Sequence, residues 1–232
     1  MSAFPPVEPP PASTSASASA AATNTATTYY TSGVYTWSYA GGSFEVSLRP
    51  NSGVFYSEKF PSAASYAFTD GDNTSLTVDW KKYGRYNFRR SAENPMNFEG
   101  FAEGNEANWR KMEFKRPFSA METTLFGDNG LGTSWNWSYE GGVFEVIFMT
   151  DGYNHFSCPK YPAHSHWKML SEGSIEVNWG KYGDYIINFD DSTHLSGHKK
   201  DSPANWRRCV LNRSITAEDK ADSSAHAHAH DH

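Results

Sequence analysis

The 232 residues carry a formal net charge of −6, with 16% aromatic side chains against 38% hydrophobic ones overall. No basic footprint for nucleic acid is present, and no run approaches the roughly 20 apolar residues of a membrane helix. The two cysteines have no counterparts in the repeat described below, which excludes a repeated disulfide framework; free thiols and a reducing, cytoplasmic setting are expected.

Residues 1–28 are rich in Pro, then in Ala, Ser and Thr, with no Lys or Arg. Such a segment buries too little to offset its ordering entropy and is expected to be disordered, without the basic and apolar regions of a secretory signal. From residue 29 the apolar period is two. Phe44, Val46 and Leu48 alternate with Glu45, Ser47 and Arg49, and Leu76, Val78 and Trp80 alternate with Thr77 and Asp79. This is the pattern of half-buried strands. The Gly41-Gly42 pair predicts a tight hairpin whose central residues need positive φ. Further turn signals at Pro50–Gly53, Asp70–Asn73, Tyr83-Gly84 and Glu103–Asn105 predict about eight short strands between residues 34 and 116.

The plan then repeats. WSYAGGSFEV at Trp37–Val46 returns as WSYEGGVFEV at Trp137–Val146, VDWKKYGRY at Val78–Tyr86 as VNWGKYGDY at Val177–Tyr185, and ANWR at Ala107–Arg110 as ANWR at Ala204–Arg207. A duplicated module accounts for all three echoes. The expected organisation is a first β-module over 29–130, a second over 131–216, and a disordered acidic, His-rich tail over 217–232. The fold class is all-β, two tandem antiparallel up-and-down barrels or sandwich-like modules. In the second copy Ile147 and Met149 replace Ser47 and Arg49, so the outer face there is expected to pack against the first module or another subunit.

Trp37 and Tyr39 share one strand face, as do Trp135, Trp137 and Tyr139. Arg110 and Arg207 fall on the Met112 and Cys209 faces of the last strands. A first-strand Trp packed under a last-strand Arg resembles the lipocalin and wider calycin families, although Gly33 stands four residues before Trp37 rather than two. The resemblance implies a calycin-like barrel whose interior holds a small, mostly apolar ligand. Trp80, Tyr86, Trp179 and Tyr185 join Trp37, Tyr39, Trp137, Tyr139, Arg110 and Arg207 as candidate ligand-binding residues, since repeated rings either stack on a flat ligand or fill a core.

One cluster is confined to the second module: His155, Cys158, His164 and His166, where the first has Val54, Ser57, Ala63 and Ser65. Imidazole and thiolate suit zinc, with Lys160 placed to favour the thiolate. No phosphate-binding Gly loop, G-x-S-x-G elbow or H-E-x-x-H motif occurs. The sequence therefore favours a small-molecule-binding protein. The alternatives are an enzyme with its site in the second module, of which a metal-dependent one is one version, and a carbohydrate-binding protein that gains avidity from two sites.

Overall fold

The computed structural model describes residues 31–221; the N-terminal segment expected at 1–28 and residues 222–232 of the tail lie outside it. The first module contains β1 (Gly33–Tyr39), β2 (Gly42–Leu48), β3 (Phe55–Tyr56), β4 (Ser65–Phe68), β5 (Ser75–Asp79), β6 (Arg85–Arg90), β7 (Phe98–Ala102) and β8 (Asn105–Arg116). A short helix, α1 (Ala120–Phe126), leads to β9 (Gly132–Tyr139), β10 (Gly142–Met149), β11 (Phe156–Ser157), β12 (His166–Ser171), β13 (Ser174–Asn178), β14 (Asp184–Asp191), β15 (His194–Lys199) and β16 (Ser202–Ser214).

Each set of eight strands forms one antiparallel sheet, in the order β3-β2-β1-β8-β7-β6-β5-β4 and its repeat β11-β10-β9-β16-β15-β14-β13-β12. Every neighbour is consecutive in sequence except where the first strand meets the last, which is an up-and-down meander curled into a nearly closed barrel. The remaining gap is narrow. Val54 bridges Ser65 in the first barrel and His155 bridges His166 in the second. Phe55 N–H donates to the Ala64 carbonyl at 3.2 Å and Phe156 N–H to that of Ser165 at 2.9 Å.

Alternation sends the large rings inward, and they fill the barrels. Trp37 meets Phe55, Trp80, Tyr86 and Phe88 edge to face at centroid distances of 5.1–5.6 Å. Trp137 meets Phe156, Trp179 and Tyr185 in the same way at 5.7–5.9 Å. The lipocalin resemblance implied an interior with room for a ligand; here ring packing occupies that space.

The hairpins differ in one detail from the expectation. The turn residues are Ala40 and Gly41, flanked by the Tyr39–Gly42 pair, and positive φ falls on Gly42 (137°) rather than at the turn centre. A Cβ on Gly41 would lie 2.6 Å from the Tyr39 ring, so a larger residue there would displace that ring.

Helix α1 is held by a capping box in which the Ser119 hydroxyl accepts from Glu122 N–H and the Glu122 carboxylate accepts from Ser119 N–H. Its Met121 and Leu125 are fully buried in the core of the second barrel. By packing, the helix therefore belongs with the second module although it precedes residue 131. Residues 217–221, expected as the start of a disordered tail, are helical. Asp219 there accepts from Thr216 N–H and pairs with Arg213 at 2.6 Å.

Where the modules meet reverses the expectation from the outer faces. Ile147 and Met149 are covered by Leu131 and Ile215 of their own half of the chain. The first module's polar pair, Ser47 and Arg49, is buried at the seam instead. Arg49 Nη1 donates to the Asp151 carbonyl at 3.0 Å, Asn51 to that of Asp128 at 3.0 Å, and Ser62 N–H to that of Gly152 at 3.2 Å. A Cβ on Gly152 would lie 1.7 Å from the Ser62 carbonyl oxygen, so the backbones approach to a distance only glycine permits.

Candidate functional site

The repeated block Trp-x-x-Tyr-Gly-x-Tyr builds one corner at the open end of each barrel. Trp80 and Trp179 indole N–H groups donate to the carbonyls of Phe60 and Tyr161, each at 3.2 Å. The chain then makes a single 3-10 turn, Lys81–Tyr83 or Gly180–Tyr182, and leaves it through Gly84 (φ 105°) or Gly183 (φ 94°). The Tyr86 and Tyr185 hydroxyls return to the carbonyls of Tyr83 and Tyr182, at 2.7 and 3.3 Å. Both copies hold the same residues because both corners use the same hydrogen bonds.

Above the first core this corner leaves a cleft of about 170 Å³, lined by Trp37, Tyr39, Phe44, Phe60, Trp80, Tyr83, Tyr86 and Arg110. Seven of its eight walls are rings and none is a carboxylate. The rings of the second module repeat the arrangement: Phe144 lies 5.1 Å from Tyr161, and Tyr161 lies 5.8 Å from Tyr182.

Arg110 and Arg207 reach these mouths, as expected, but their partners differ from those expected. The register pairs Trp37 with Met112 and Trp137 with Cys209, so each Arg sits two residues further along, toward the barrel end. The Arg110 guanidinium lies over Tyr86 and Tyr39 at 5.1 and 5.5 Å, and that of Arg207 over Tyr185 and Tyr139 at 4.8 and 5.7 Å. Such contacts contribute about 0.5–2 kcal/mol, more as water is excluded. The repeated Asn-Trp-Arg explains their aim. Asn108 and Asn205 side-chain oxygens each accept from the Arg two residues on, at 2.5 Å. The intervening Trp109 and Trp206 point outward, 43% and 41% exposed. Among the ten candidate ligand-binding residues, then, the Trp37, Trp137, Trp80, Trp179, Tyr86 and Tyr185 rings are buried packing, while Tyr39, Tyr139 and the two Arg form the mouths. Phe44, Phe60 and the Asn tethers were missed; Phe44 lay within a repeated phrase, but nothing in the sequence joined it to Arg110.

The second candidate divides. His155 and His166 face one another across the barrel's closing bridge, with ring centroids 4.9 Å apart, and His164 stands 4.5 Å from His166. His155 Nδ1 meets the Asp151 carboxylate at 2.5 Å, His166 Nδ1 donates to the Tyr153 carbonyl at 3.1 Å, and the Nε2 atoms of His164 and His166 are 2.9 Å apart. Burial pushes the Asp151 carboxyl up, but hydrogen bonds from the His155 ring and backbone outweigh it and bring it down to about 2. Burial, then the neighbouring His155, lowers the His166 pKa.

Cys158 is not with them. Phe156 faces the core, and two residues on Cys158 does too, 3% exposed and packed in the second core. Burial raises its pKa in spite of Lys160, so the thiolate expected for chelation is disfavoured. The four-ligand zinc set does not come together, and among the described residues no group of three or more His, Cys, Asp and Glu has the placement to hold a metal. Cys209 is likewise a buried free thiol pushed far up by burial.

The fold and its mouths define a tandem of two small up-and-down barrels with aromatic-filled interiors. No family model, curated protein or solved structure matches the chain.

Proposed function

We propose that the protein binds a small molecule with an apolar or aromatic body at the mouth of its barrels. The observation that carries this reading is the ring-lined cleft over Trp37. Its volume of about 170 Å³ is close to the ~150 Å³ that suffices for a single benzene-sized ring. Because the barrel interiors are filled, the ligand stacks at the end of the barrel with part of it in solvent. Tyr39, Phe44, Phe60 and Tyr83 supply half-buried faces there. A panel of aromatic and aliphatic compounds titrated against intrinsic tryptophan fluorescence tests the reading. Saturable quenching, lost in Tyr83→Ala, is expected; a panel that leaves the emission unchanged overturns it.

A second reading has its own observation. Trp109 and Trp206 are exposed at matching positions, 43% and 41%, and two outward indoles suit a sugar polymer. Retention of wild type on insoluble polysaccharide, lost in the Trp109→Ala/Trp206→Ala double variant, would favour it.

A further inference from the structure

The first mouth carries three cations, each held over a ring that lines it. Arg110 covers Tyr39 and Tyr86, the Lys59 ammonium lies 5.6 Å from the Phe60 centroid and 5.9 Å from that of Phe44, and the Lys82 ammonium lies 5.0 Å from that of Tyr83. The second mouth repeats all three: Arg207 over Tyr139 and Tyr185, Lys160 at 5.4 Å from Tyr161, and Lys181 at 5.3 Å from Tyr182.

These six groups differ from most of the cations elsewhere, although Arg49, Arg89, Lys199 and Arg208 are likewise without an ion pair among the described residues. Lys81, Lys111, Lys115, Lys168 and Lys200 are each ion-paired to a carboxylate. None of the six at the mouths has an ion pair among the described residues, and no carboxylate lines the first cleft. Between the two copies Arg49, Lys81, Arg85 and Arg89 become Met149, Gly180, Asp184 and Asn188, whereas all three mouth positions keep their charge, as Lys111 and Arg116 do in Arg208 and Arg213. Three unpaired positive charges around a low-dielectric aromatic floor focus a positive potential on it. A neutral apolar ligand gains nothing from that potential. A quaternary ammonium, which would otherwise suit a cage of rings, is repelled by it.

We infer that the ligand is a planar anion, a flat apolar or aromatic body bearing a carboxylate, sulfonate or phosphate, and that each mouth takes one. The rings stack on the body while Lys59, Lys82 and Arg110, or Lys160, Lys181 and Arg207, meet the charge. This rests on the mouth-binding reading above and adds the sign of the ligand's charge to it.

The test uses two fluorescent probes with nearly the same rings, the anion 8-anilinonaphthalene-1-sulfonate and the neutral N-phenyl-1-naphthylamine, titrated into the full-length protein. The anionic probe is expected to bind at least tenfold more tightly at low salt and to weaken as salt is added. A quadruple variant, Lys59→Gln, Lys82→Gln, Lys160→Gln and Lys181→Gln, alters only exposed side chains. It should weaken the anionic probe about tenfold and leave the neutral probe unchanged. The control removes the same net charge elsewhere, through Arg89→Gln, Lys111→Gln, Lys115→Gln and Lys168→Gln, and should change neither. Equal binding of both probes to wild type, or equal weakening in variant and control, overturns the anion inference and leaves the mouth reading standing. If neither probe binds, the mouth reading fails and this inference with it.

Discussion

The Asn205 side-chain oxygen accepts a hydrogen bond from Arg207 Nη1 at 2.5 Å, and this tether holds the guanidinium above Tyr185. Asn108 repeats it on Arg110 at the same length. A strand places residues i and i+2 on one face, so the Asn-Trp-Arg spacing fixes an acceptor beside the cation and sends the Trp outward. Arg207 is 7% exposed, and its Nη2 also donates to the Tyr185 hydroxyl at 3.3 Å.

Asn205→Ala is expected to lower unfolding free energy by about 1–2 kcal/mol, the net value of a hydrogen bond from a charged donor at a shielded site. Asn108→Ala should cost less, because Arg110 is only partly buried. Urea unfolding followed by tryptophan emission measures both, and an unchanged midpoint in Asn205→Ala would show that the tether carries no energy.

Two glycines that no turn signal marks should be intolerant. Gly100 on β7 and Gly197 on β15 pair with Phe88 and Ile187, and a Cβ would come within 2.0 Å of the Asn87 carbonyl oxygen and 2.1 Å of that of Ile186. The obstacle is backbone of the neighbouring strand, which cannot swing aside as a side chain can. Gly100→Ala and Gly197→Ala are each expected to cost about 1–3 kcal/mol or more, as overpacking does. Thermal unfolding checks this, and a melting temperature within a degree or so of wild type would contradict it.

At the seam the charge and the stem of Arg49 act in opposite directions. Burial lowers its pKa to about 10, so the guanidinium is held at a cost, while its stem and plane pack 4.2 Å from the Tyr56 centroid and its Nη1 bonds the Asp151 carbonyl. Arg49→Ala should lose packing and hydrogen bond together, about 2–4 kcal/mol. Arg49→Met keeps most of the volume and removes the desolvated charge, and should cost no more than about 1 kcal/mol. Equal losses in the two variants would assign the stabilisation to the charge instead.

The barrels were legible because period-two alternation and the repeated phrases report local geometry, and the eight strands of each module follow from them. What was not legible depends on register between distant strands. Arg110 lies beside Tyr39 rather than Trp37 because β8 pairs with β1 through Met112, and no local pattern fixes that offset. Parity separates the His/Cys cluster in the same way. His155 and His166 pair on one face of the closing strands, while Cys158 belongs to the other, so four residues close in sequence form two environments. The seam was misjudged because hydropathy marked Ile147 and Met149 as the docking face, whereas a polar arginine, held by one carbonyl and three rings with its buried Nε unbonded, makes the contact.

The histidine group gives the fold an acid-sensitive edge. His166 has a folded pKa below its usual 6.5, lowered by burial and by His155, so the folded state favours the neutral ring. At pH above 6.5 the ring is neutral in both states and contributes no pH dependence; below it the unfolded chain takes up a proton that the folded one resists, and stability falls. Asp151 acts in a lower window. Its carboxyl is held at about 2 against an ordinary 3.8, so its stabilisation is complete above 3.8 and is lost as the pH falls from there toward 2. The loop it organises also carries the Gly152 carbonyl that accepts from Ser62, so loss of Asp151's bonds to His155 and Tyr153 loosens the contact between modules. Unfolding free energy measured in urea from about pH 7 to about pH 3 should therefore decline in two stages. His166→Gln should flatten the first stage and leave the second. Asp151→Asn should lower stability at neutral pH by about 1.5–3 kcal/mol and shrink the second, to which the lowered carboxyls of Asp70, Asp191, Asp219 and Glu176 also contribute. A first stage that persists unchanged in His166→Gln would place the acid sensitivity on another group.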